Sequence, residues 1–308
     1  MFKIPILLLI YNRPNLTKQV LRQIEKIKPE KLYIAADGPK SFDQSELKKI
    51  NDTRIVVKKI NWKCKVKYKF NIKNKGLRYG IPHAISWFFK HEIKGIILED
   101  DCRPHLSFFK FCEKLLILYA NNKKIFTITG TNFIQNSLNK FSYSFSRFPI
   151  VWGWATWRRS WKLYDSEIKF WPKYKKSNNW KKFFERKYQR VFFEKVFDQV
   201  YNKKIDTWDY QLMAIQFYRK SLTITPKHNL IKNIGFGSDA TFNKSLKHKF
   251  ANLKIRKIGK FIKNNHIVEP KNEMNLNLNY RFSCYRNVIL RLIYYVKTNF
   301  FRIFYFFE

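Results

Sequence analysis

The chain has 308 residues, of which 62 are Lys or Arg and 22 are Asp or Glu, so its formal net charge is +40 at pH 7. An apolar content of 45% with 18% aromatic residues excludes a disordered polycation and predicts a folded protein of one large or two modest domains. The charge favours anionic partners (nucleic acid, anionic lipid or nucleotide phosphates) without choosing among them.

The first predicted strand, Ile4 to Ile10, runs into the turn Tyr11-Asn12-Arg13-Pro14. Proline in a first helical turn, followed by apolar residues at helical spacing, predicts a helix there. Arg13 and the free helix N–H groups could then bind a phosphate, and an ordinary surface arginine is the alternative. A second predicted strand, Leu32 to Ala36, ends in Asp37, which either accepts a hydrogen bond from a base or ribose or makes the turn.

The next segment predicts further helix and strand elements before a glycine-containing loop. Between Ser41 and Lys69 the pattern predicts a polar helix and a strand around Ile55 to Lys58. The stretch NKGLRYGI, residues 74–81, contains two glycines that indicate a bent loop, and a helix is predicted from Pro82 to about His91. Glycine loops allow a backbone to approach a ligand, although this spacing alone is weak evidence.

Three consecutive carboxylates follow the next predicted strand. The apolar run Gly95–Leu98 ends in Glu99-Asp100-Asp101, in a chain that is otherwise strongly basic. Ligands of open α/β sheets bind at the carboxyl ends of strands, and Mg²⁺ or Mn²⁺ prefers oxygen ligands. The acids therefore predict a cation site; a solvated turn that caps the following helix is the alternative. The alternation of strands and helices predicts a largely parallel sheet covered on both faces.

Two later segments carry candidate acceptor and catalytic groups. Residues 149–161 contain four tryptophans within ten positions, which suits either a floor for sugar rings or a core-packing cluster. In the segment DTWDYQL, residues 206–212, Asp206 resembles a helix N-cap with Asp209 three residues later. Asp209 is thus either a helix-start acid or a general base beside an aromatic surface.

The remaining features concern compartment and membrane. No run of about 18 apolar residues occurs, which predicts no membrane-spanning helix. Residues 286–308 alternate Arg and Lys with large apolar groups, so they either lie in a membrane interface or pack on the domain. Free thiols in a reducing compartment are predicted because no close CxxC pair occurs among Cys64, Cys102, Cys112 and Cys284.

In their order and spacing, the segments IYNRP, ADGPK, NKGLRYGI, GIILEDDCRP, VWGWATWRRSW, TWDYQ and PKHNLIKNIGFGSDATF resemble a known family. Over residues 3–243 the chain resembles GT-A-fold glycosyltransferases, of the bacterial group similar to animal α-mannoside β-1,2-N-acetylglucosaminyltransferases. The resemblance implies an α/β, Rossmann-like fold with a mostly parallel sheet. It implies a catalytic domain over residues 1–245. Residues 246–308 fall outside the resemblance, and their own sequence predicts a basic, aromatic-rich C-terminal helical extension.

The resemblance also implies roles for individual residues. A nucleotide sugar, expected to be a UDP-sugar, would be the donor, and Mn²⁺ or Mg²⁺ would be ligated by Asp101. Asp209 would deprotonate the acceptor hydroxyl. The implied donor-binding residues are Arg13 at the diphosphate, Asp37 at the uracil, Arg78, and Glu99 and Asp100 at the sugar and ribose. The implied acceptor and sugar-binding residues are Trp152, Gly153, Trp154 and Trp208. One departure is that Ala240-Thr241-Phe242 stands where the family pattern has ATH.

These expectations describe an inverting, metal-dependent glycosyltransferase that acts on a surface glycan or lipid-linked saccharide. It would be cytoplasmic or peripheral on the inner face of the plasma membrane and serve polysaccharide or lipopolysaccharide biosynthesis. A sugar-phosphate nucleotidyltransferase is the first alternative, although such enzymes carry a glycine and lysine-rich loop where this chain reads YNRP. A basic nucleic-acid-binding protein is the second, and it leaves the acidic strand end without a purpose.

Overall fold

A computed structural model describes residues 1–41, 43–133, 140–184, 186–237 and 250–264. One compact unit covers Met1–Glu269, so it continues beyond residue 245, where the sequence analysis ends the catalytic domain. The second unit, Pro270–Glu308, lies outside the described residues, as do the predicted C-terminal helix and the loop with Asp239 and Phe242.

The described elements alternate between strands and helices through the first half of the chain. In order they are β1 (Ile6–Ile10), α1 (Pro14–Ile27), β2 (Lys31–Ala36), α2 (Gln44–Lys58), β3 (Lys65–Phe70), α3 (Gly76–His91), β4 (Lys94–Glu99), β5 (Cys102–Pro104), α4 (Leu106–Leu118), β6 (Ile125–Thr129), β7 (Tyr143–Ser146), β8 (Trp154–Trp157), α5 (Arg158–Trp161), α6 (Trp171–Lys176), α7 (Asn178–Lys181), α8 (Lys187–Tyr201), α9 (Asp209–Tyr218), β9 (Leu222–Pro226) and β10 (Ile231–Asn233).

The central sheet has eight strands in the order β3-β2-β1-β4-β8-β6-β9-β7. Strands β3, β2, β1 and β4 are mutually parallel, as are β6 and β9, whereas β8 and β7 run antiparallel to their neighbours. The expected α/β class with a mostly parallel sheet is confirmed. Because the chain builds outward from β1 to β3 and then returns to add β4 on the other side, the strand order reverses between β1 and β4. Such a reversal opens a crevice at the carboxyl ends of the two strands.

Strand β1 explains why helices cover both faces of the sheet. All five of its residues are buried and apolar. Ile6, Leu8 and Ile10 belong to one hydrophobic cluster, which α1 and α4 complete, and Leu7 and Leu9 belong to another, which α3 and α9 complete. Successive strand residues point to opposite faces, so an unbroken apolar run is the pattern of a strand between two helical layers.

Two predicted boundaries are wrong. The segment predicted as a strand, Ile55 to Lys58, is the last turn of α2, because Ile50, Thr53 and Val57 are buried at helical spacing on one face of that helix. The strand is instead Lys65–Phe70. Helix α3 begins at Gly76 rather than at Pro82, which lies inside the helix.

Residues 260–264 pack against the edge of the sheet at β7. The Ser142 backbone N–H donates to the Ile262 carbonyl at 3.0 Å, and the Ile262 N–H donates to Ser142 Oγ at 2.8 Å. This segment therefore covers part of an edge whose backbone groups would otherwise be open to pairing. Among the described residues, no helix has both the length and the apolar character needed to cross a bilayer.

Candidate active site

A cleft of about 270 Å³ opens at the carboxyl ends of β1, β2 and β4, where the strand order reverses. The strand ends contribute polar groups, and the first turns of α3 form one wall. The lining residues that carry polar side chains are Tyr11, Asn12, Arg13, Asp37, Lys40, Glu46, Lys69, Asn71, Asn74, Glu99 and Asp100.

The three acids end β4 at one end of this cleft. Glu99 is the last residue of the strand, and Asp100 and Asp101 form the turn into β5. Arg13 Nη1 lies 3.6 Å from Asp100 Oδ1 and 3.3 Å from Asp101 Oδ2, and the Tyr11 backbone N–H donates to Asp100 Oδ2 at 3.2 Å. The structure therefore brings together four of the predicted residues.

Burial and mutual repulsion make this cluster unfavourable for three negative charges. Burial first, then the charges of Asp101 and Asp100, raise the pKa of Glu99 well above its ordinary value. Burial, followed by the charge of Asp101, raises the pKa of Asp100 to about 7, against the opposing effect of Arg13. A cation in the cleft would reverse both effects, because opposite charge stabilises the ionised carboxylates.

The donor set fits a divalent ion only in a limited way. Carboxylate oxygens are suitable ligands for Mg²⁺ or Mn²⁺. Within the described part of the chain, however, no three His, Cys, Asp or Glu side chains form a group that could hold a metal ion. Mg²⁺ is commonly bound by one or two carboxylates together with substrate phosphates. Asp101 and its neighbours therefore fit an ion that arrives with a nucleotide, and they do not form a complete protein cage.

Asp37 lies at the opposite end of the cleft, and its carboxylate is fully engaged. Oδ1 accepts hydrogen bonds from the Gly38 N–H at 3.0 Å and from Asn71 Nδ2 at 3.0 Å. Oδ2 accepts from the backbone N–H groups of Lys75 at 2.9 Å and Gly76 at 3.1 Å. A carboxylate offers about four acceptor positions, so a base that bonded to Asp37 would have to displace one of these donors.

The beginning of α3 is occupied by two carboxylates. Asp206 accepts from the N–H of Leu77 at 3.0 Å and from that of Arg78 at 2.7 Å, and Asp37 accepts from the two preceding N–H groups. Unpaired N–H groups at a helix N-terminus attract anions, and here protein acids satisfy them. The NKGLRYGI segment therefore begins a helix that the protein itself caps. Asp206, predicted as the N-cap of its own helix, instead caps α3.

The side chain of Arg78 turns away from the cleft. Its exposed fraction is 4%, and its guanidinium donates to the carbonyls of Val200 at 3.0 Å and Ser166 at 2.9 Å. These bonds join α3 to the end of α8 and to the segment after Tyr164. The structure does not bring Arg78 together with the other predicted donor-binding residues, and the burial of its guanidinium is the reason.

The predicted tryptophan floor is largely interior. Trp154 is 1% exposed and Trp208 is 5% exposed, and their rings stack on each other with centroids 5.8 Å apart. Gly153 has φ +63°, and a Cβ there would lie 2.4 Å from Ile231 Cδ1, so close packing requires this glycine. Of the three tryptophans predicted to bind the acceptor or sugar, Trp152 is the one that is partly exposed. Core packing therefore replaces the acceptor role for Trp154 and Trp208.

Asp209 is the first residue of α9 and is held by its neighbours. Its Oδ1 accepts from Thr207 Oγ1 and from the Tyr210 N–H, whereas Oδ2 accepts no hydrogen bond from a described residue. The Tyr164 hydroxyl donates to the Trp208 carbonyl at 3.0 Å and so fixes the start of the helix. The charge of Asp209 contributes to raising the pKa of Glu99, so the two carboxylates are close enough to repel each other.

The segment after β10 packs on the acid cluster. Strand β10 pairs with β5, and the Ile234 N–H donates to the Asp101 carbonyl at 2.8 Å. A Cβ on Gly235 would lie 2.4 Å from Asp101 Oδ2. A residue with a side chain at this position would displace the Asp101 carboxylate, so the cluster depends on the glycine.

Sequence reasoning missed two residues of the cleft. Tyr11 bridges its ends, since its N–H donates to Asp100 and its hydroxyl donates to Glu46 Oε1 at 2.7 Å. Asn71 donates to Asp37 from the end of β3. Both follow strands directly, which is the signal that identified Asp37; for Asn71 the misplaced third strand concealed it.

No protein-family model matches the chain, and none of the curated proteins matches it. A UDP-glucose pyrophosphorylase complexed with UDP-glucose is similar in structure, with 9% identity and a TM-score of 0.36, over 73% of this chain and 90% of that chain. A 4-diphosphocytidyl-2C-methyl-D-erythritol synthase from Anaerococcus prevotii DSM 20548 is similar with 11% identity and a TM-score of 0.32, over 70% of this chain and 98% of that chain. Likenesses this weak assign neither a family nor an activity.

Proposed function

We propose that the protein is a GT-A-type inverting glycosyltransferase that moves a sugar from a nucleotide sugar, expected to be a UDP-sugar, to a hydroxyl of a saccharide or lipid-linked glycan. The observation that carries the proposal is one cleft in which Arg13 and the acids of β4 lie at one end. Asp37 and Asn71 lie at the other end, and the charge of Asp209 acts on Glu99. The base would then lie near Asp37 and Asn71, the diphosphate near Arg13, and the acceptor hydroxyl near Asp209.

On the donor side, Arg13 would bind the diphosphate. Its guanidinium is held beside Asp100 and Asp101 at the start of α1, where free backbone N–H groups also favour an anion. Glu99 and Asp100 would accept hydrogen bonds from sugar and ribose hydroxyls. Asp101 would contribute a ligand to Mn²⁺ or Mg²⁺, which would neutralise charge on the leaving diphosphate.

On the acceptor side, Asp209 would act as the general base. Since its described hydrogen bonds all fall on Oδ1, Oδ2 is available to accept the proton of an attacking hydroxyl. The acceptor oxygen forms the new bond to the anomeric carbon while the bond to the diphosphate oxygen breaks, which inverts that carbon. Trp152 is the predicted acceptor-site tryptophan that keeps partial exposure, so it remains in the proposal.

The cellular setting is a further part of the proposal. A lipid-linked acceptor at the inner face of the plasma membrane, in bacterial surface polysaccharide or lipopolysaccharide synthesis, would use the basic and aromatic sequence of residues 286–308. Co-sedimentation with anionic vesicles should fall when the chain is ended near residue 280. Equal binding of both chains would contradict this part alone.

A sugar-phosphate nucleotidyltransferase is the second candidate, because the same cleft and acids would serve metal-dependent chemistry on a nucleotide. The two functions release different products. A glycosyltransferase given a UDP-sugar and Mn²⁺ releases UDP, to an acceptor or slowly to water, whereas a nucleotidyltransferase given UTP and a sugar phosphate releases pyrophosphate. Release of UDP that is lost in Asp101→Asn supports the first function. Release of pyrophosphate with no UDP supports the second function. If neither UDP nor pyrophosphate is released, both functions are contradicted.

A further inference from the structure

Two asparagines line the cleft near Asp37, and they differ in how completely their amides are hydrogen-bonded. In Asn74, Nδ2 donates to the Gly38 carbonyl at 2.8 Å and Oδ1 accepts from the Gly76 N–H at 3.0 Å. In Asn71, Nδ2 donates to Asp37 Oδ1 at 3.0 Å, whereas Oδ1 accepts no hydrogen bond from any described residue. The side-chain amide of Asn74 therefore uses both its nitrogen and its oxygen in hydrogen bonds within the protein, whereas the oxygen of Asn71 is available to accept a hydrogen bond from a ligand.

The orientation of the Asn71 amide follows from its partner. An ionised carboxylate only accepts hydrogen bonds, so the NH₂ group must face Asp37 and the oxygen must face away from it. The backbone of Asn71 is also fixed, because its N–H donates to the Ala36 carbonyl at 2.9 Å and its carbonyl accepts from Arg54 Nη2 at 3.1 Å. The free acceptor is therefore held rigidly in a wall of the cleft.

Asp37 itself is poorly suited to contact a base. Its two oxygens already accept from four protein donors, and a Cβ on Gly80 would lie 2.9 Å from Oδ2. The carboxylate is thus enclosed on the side of α3 as well. Its evident effect is to orient the Asn71 amide and to cap the helix.

We propose that Asn71, and not Asp37, determines base specificity, with Asn71 Oδ1 accepting the N3–H of a uracil ring and Asp37 acting as the positioning residue. This inference rests on the proposed function, since it concerns the base of the same donor nucleotide. Cytosine carries a lone pair at N3, so its N3 and Asn71 Oδ1 would both be hydrogen-bond acceptors and would repel each other. A site built to pair with one hydrogen-bonding group discriminates against an analogue that lacks it.

The test is calorimetric titration of the full chain with UDP, CDP and GDP in the presence of Mn²⁺. UDP should bind at least about tenfold more tightly than CDP, because the wrong base leaves an unpaired acceptor. In Asn71→Ala the ratio of the two affinities should fall to near one. General damage to the cleft would weaken both nucleotides together, so the ratio separates base recognition from a structural role.

Asn74→Ala is the matched control. It removes an amide from the same wall whose bonds are all within the protein, so UDP and CDP should weaken by the same factor and their ratio should persist. If the wild-type chain binds UDP and the ratio is unchanged in Asn71→Ala, the inference is overturned while the proposed function stands. Tighter binding of CDP or GDP than of UDP also overturns it. If no nucleotide binds the wild-type chain, the proposed function itself fails.

Discussion

Two groups of carboxylates lie in or beside the cleft under opposite conditions. Asp37 and Asp206 accept hydrogen bonds on every oxygen, chiefly from backbone N–H groups at the start of α3. Residues 99–101 have few donors besides Arg13 and the Tyr11 N–H, and they repel one another. Acids satisfied by the protein stabilise the fold, whereas the acids left in mutual repulsion are the ones to which the proposed function assigns a ligand.

The comparison changes how an acidic residue at a strand end is interpreted. Asp37 and Glu99 both stand at carboxyl ends of parallel strands, so the sequence alone treats them alike. They differ in what approaches them: a helix N-terminus closes over Asp37, whereas the cleft leaves Glu99 facing other carboxylates. Position in the sheet identifies candidates, and the count of protein donors decides between a structural and a ligand-binding role.

The largest expected effect is on turnover, through Asp209, whose carboxylate is half engaged. Asp209→Asn keeps an oxygen for Thr207 and Tyr210 but loses the basic Oδ2, so kcat should fall by about 10²–10⁴-fold. Donor affinity should remain near that of the wild type, measured by titration with the nucleotide. Equal losses in donor affinity and rate would identify Asp209 as a structural acid, like Asp37 and Asp206.

The next effect is on stability at Asp37. Asp37→Asn turns one acceptor oxygen into an NH₂ group that faces protein donors, so the free energy of unfolding should fall by about 1–3 kcal/mol. Denaturant unfolding measures this loss. A variant as stable as the wild type would mean that the donors around Asp37 are not the source of its structural role.

A smaller loss is expected at Asp206, which caps the same helix from outside the cleft. Asp206→Ala removes an acceptor for two N–H groups and should lower stability by about 1 kcal/mol. Asp43→Ala is a suitable comparison, because Asp43 caps α2 through the single N–H of Glu46. Asp206→Ala should lower the free energy of unfolding more than Asp43→Ala does in the same assay. The reverse order would contradict the interpretation that Asp206 caps α3.

The parts of the fold that the sequence predicts are its wholly apolar strands. Strands β1 and β4 were recognisable because their apolar runs are buried on both faces of the sheet. Strand β3 was missed because it is the edge of the sheet, with Lys65 and Lys67 exposed, and its KVKYKF sequence lacks an apolar run. Lysines on an edge strand discourage pairing with other chains. The same lysines interrupt the apolar run by which a strand is predicted from sequence.

The structure brings the predicted site residues together where their charge marked them, and it separates them where packing decides their position. Arg13 and the three acids converge as their strand-end positions suggest. The sequence could not show that Arg78 is buried against the carbonyls of Val200 and Ser166, or that Trp154 and Trp208 stack on each other. Those outcomes depend on contacts between segments far apart in the chain, which residue type and local spacing do not report.

The smallest expected effect is a gain in stability, and it tests the proposal that residues 99–101 bind a ligand. Asp101→Asn removes a charge that raises the pKa of Glu99 and Asp100, and Arg13 keeps Asp100 as an ion-pair partner. The free energy of unfolding without nucleotide or metal should therefore rise by a few tenths to about 1 kcal/mol. The stabilisation that wild type gains from UDP with Mn²⁺ should be lost in the same variant, measured by thermal shift. A clear loss of stability in the ligand-free variant would place Asp101 with Asp37 and Asp206, as an acid that the fold requires for itself.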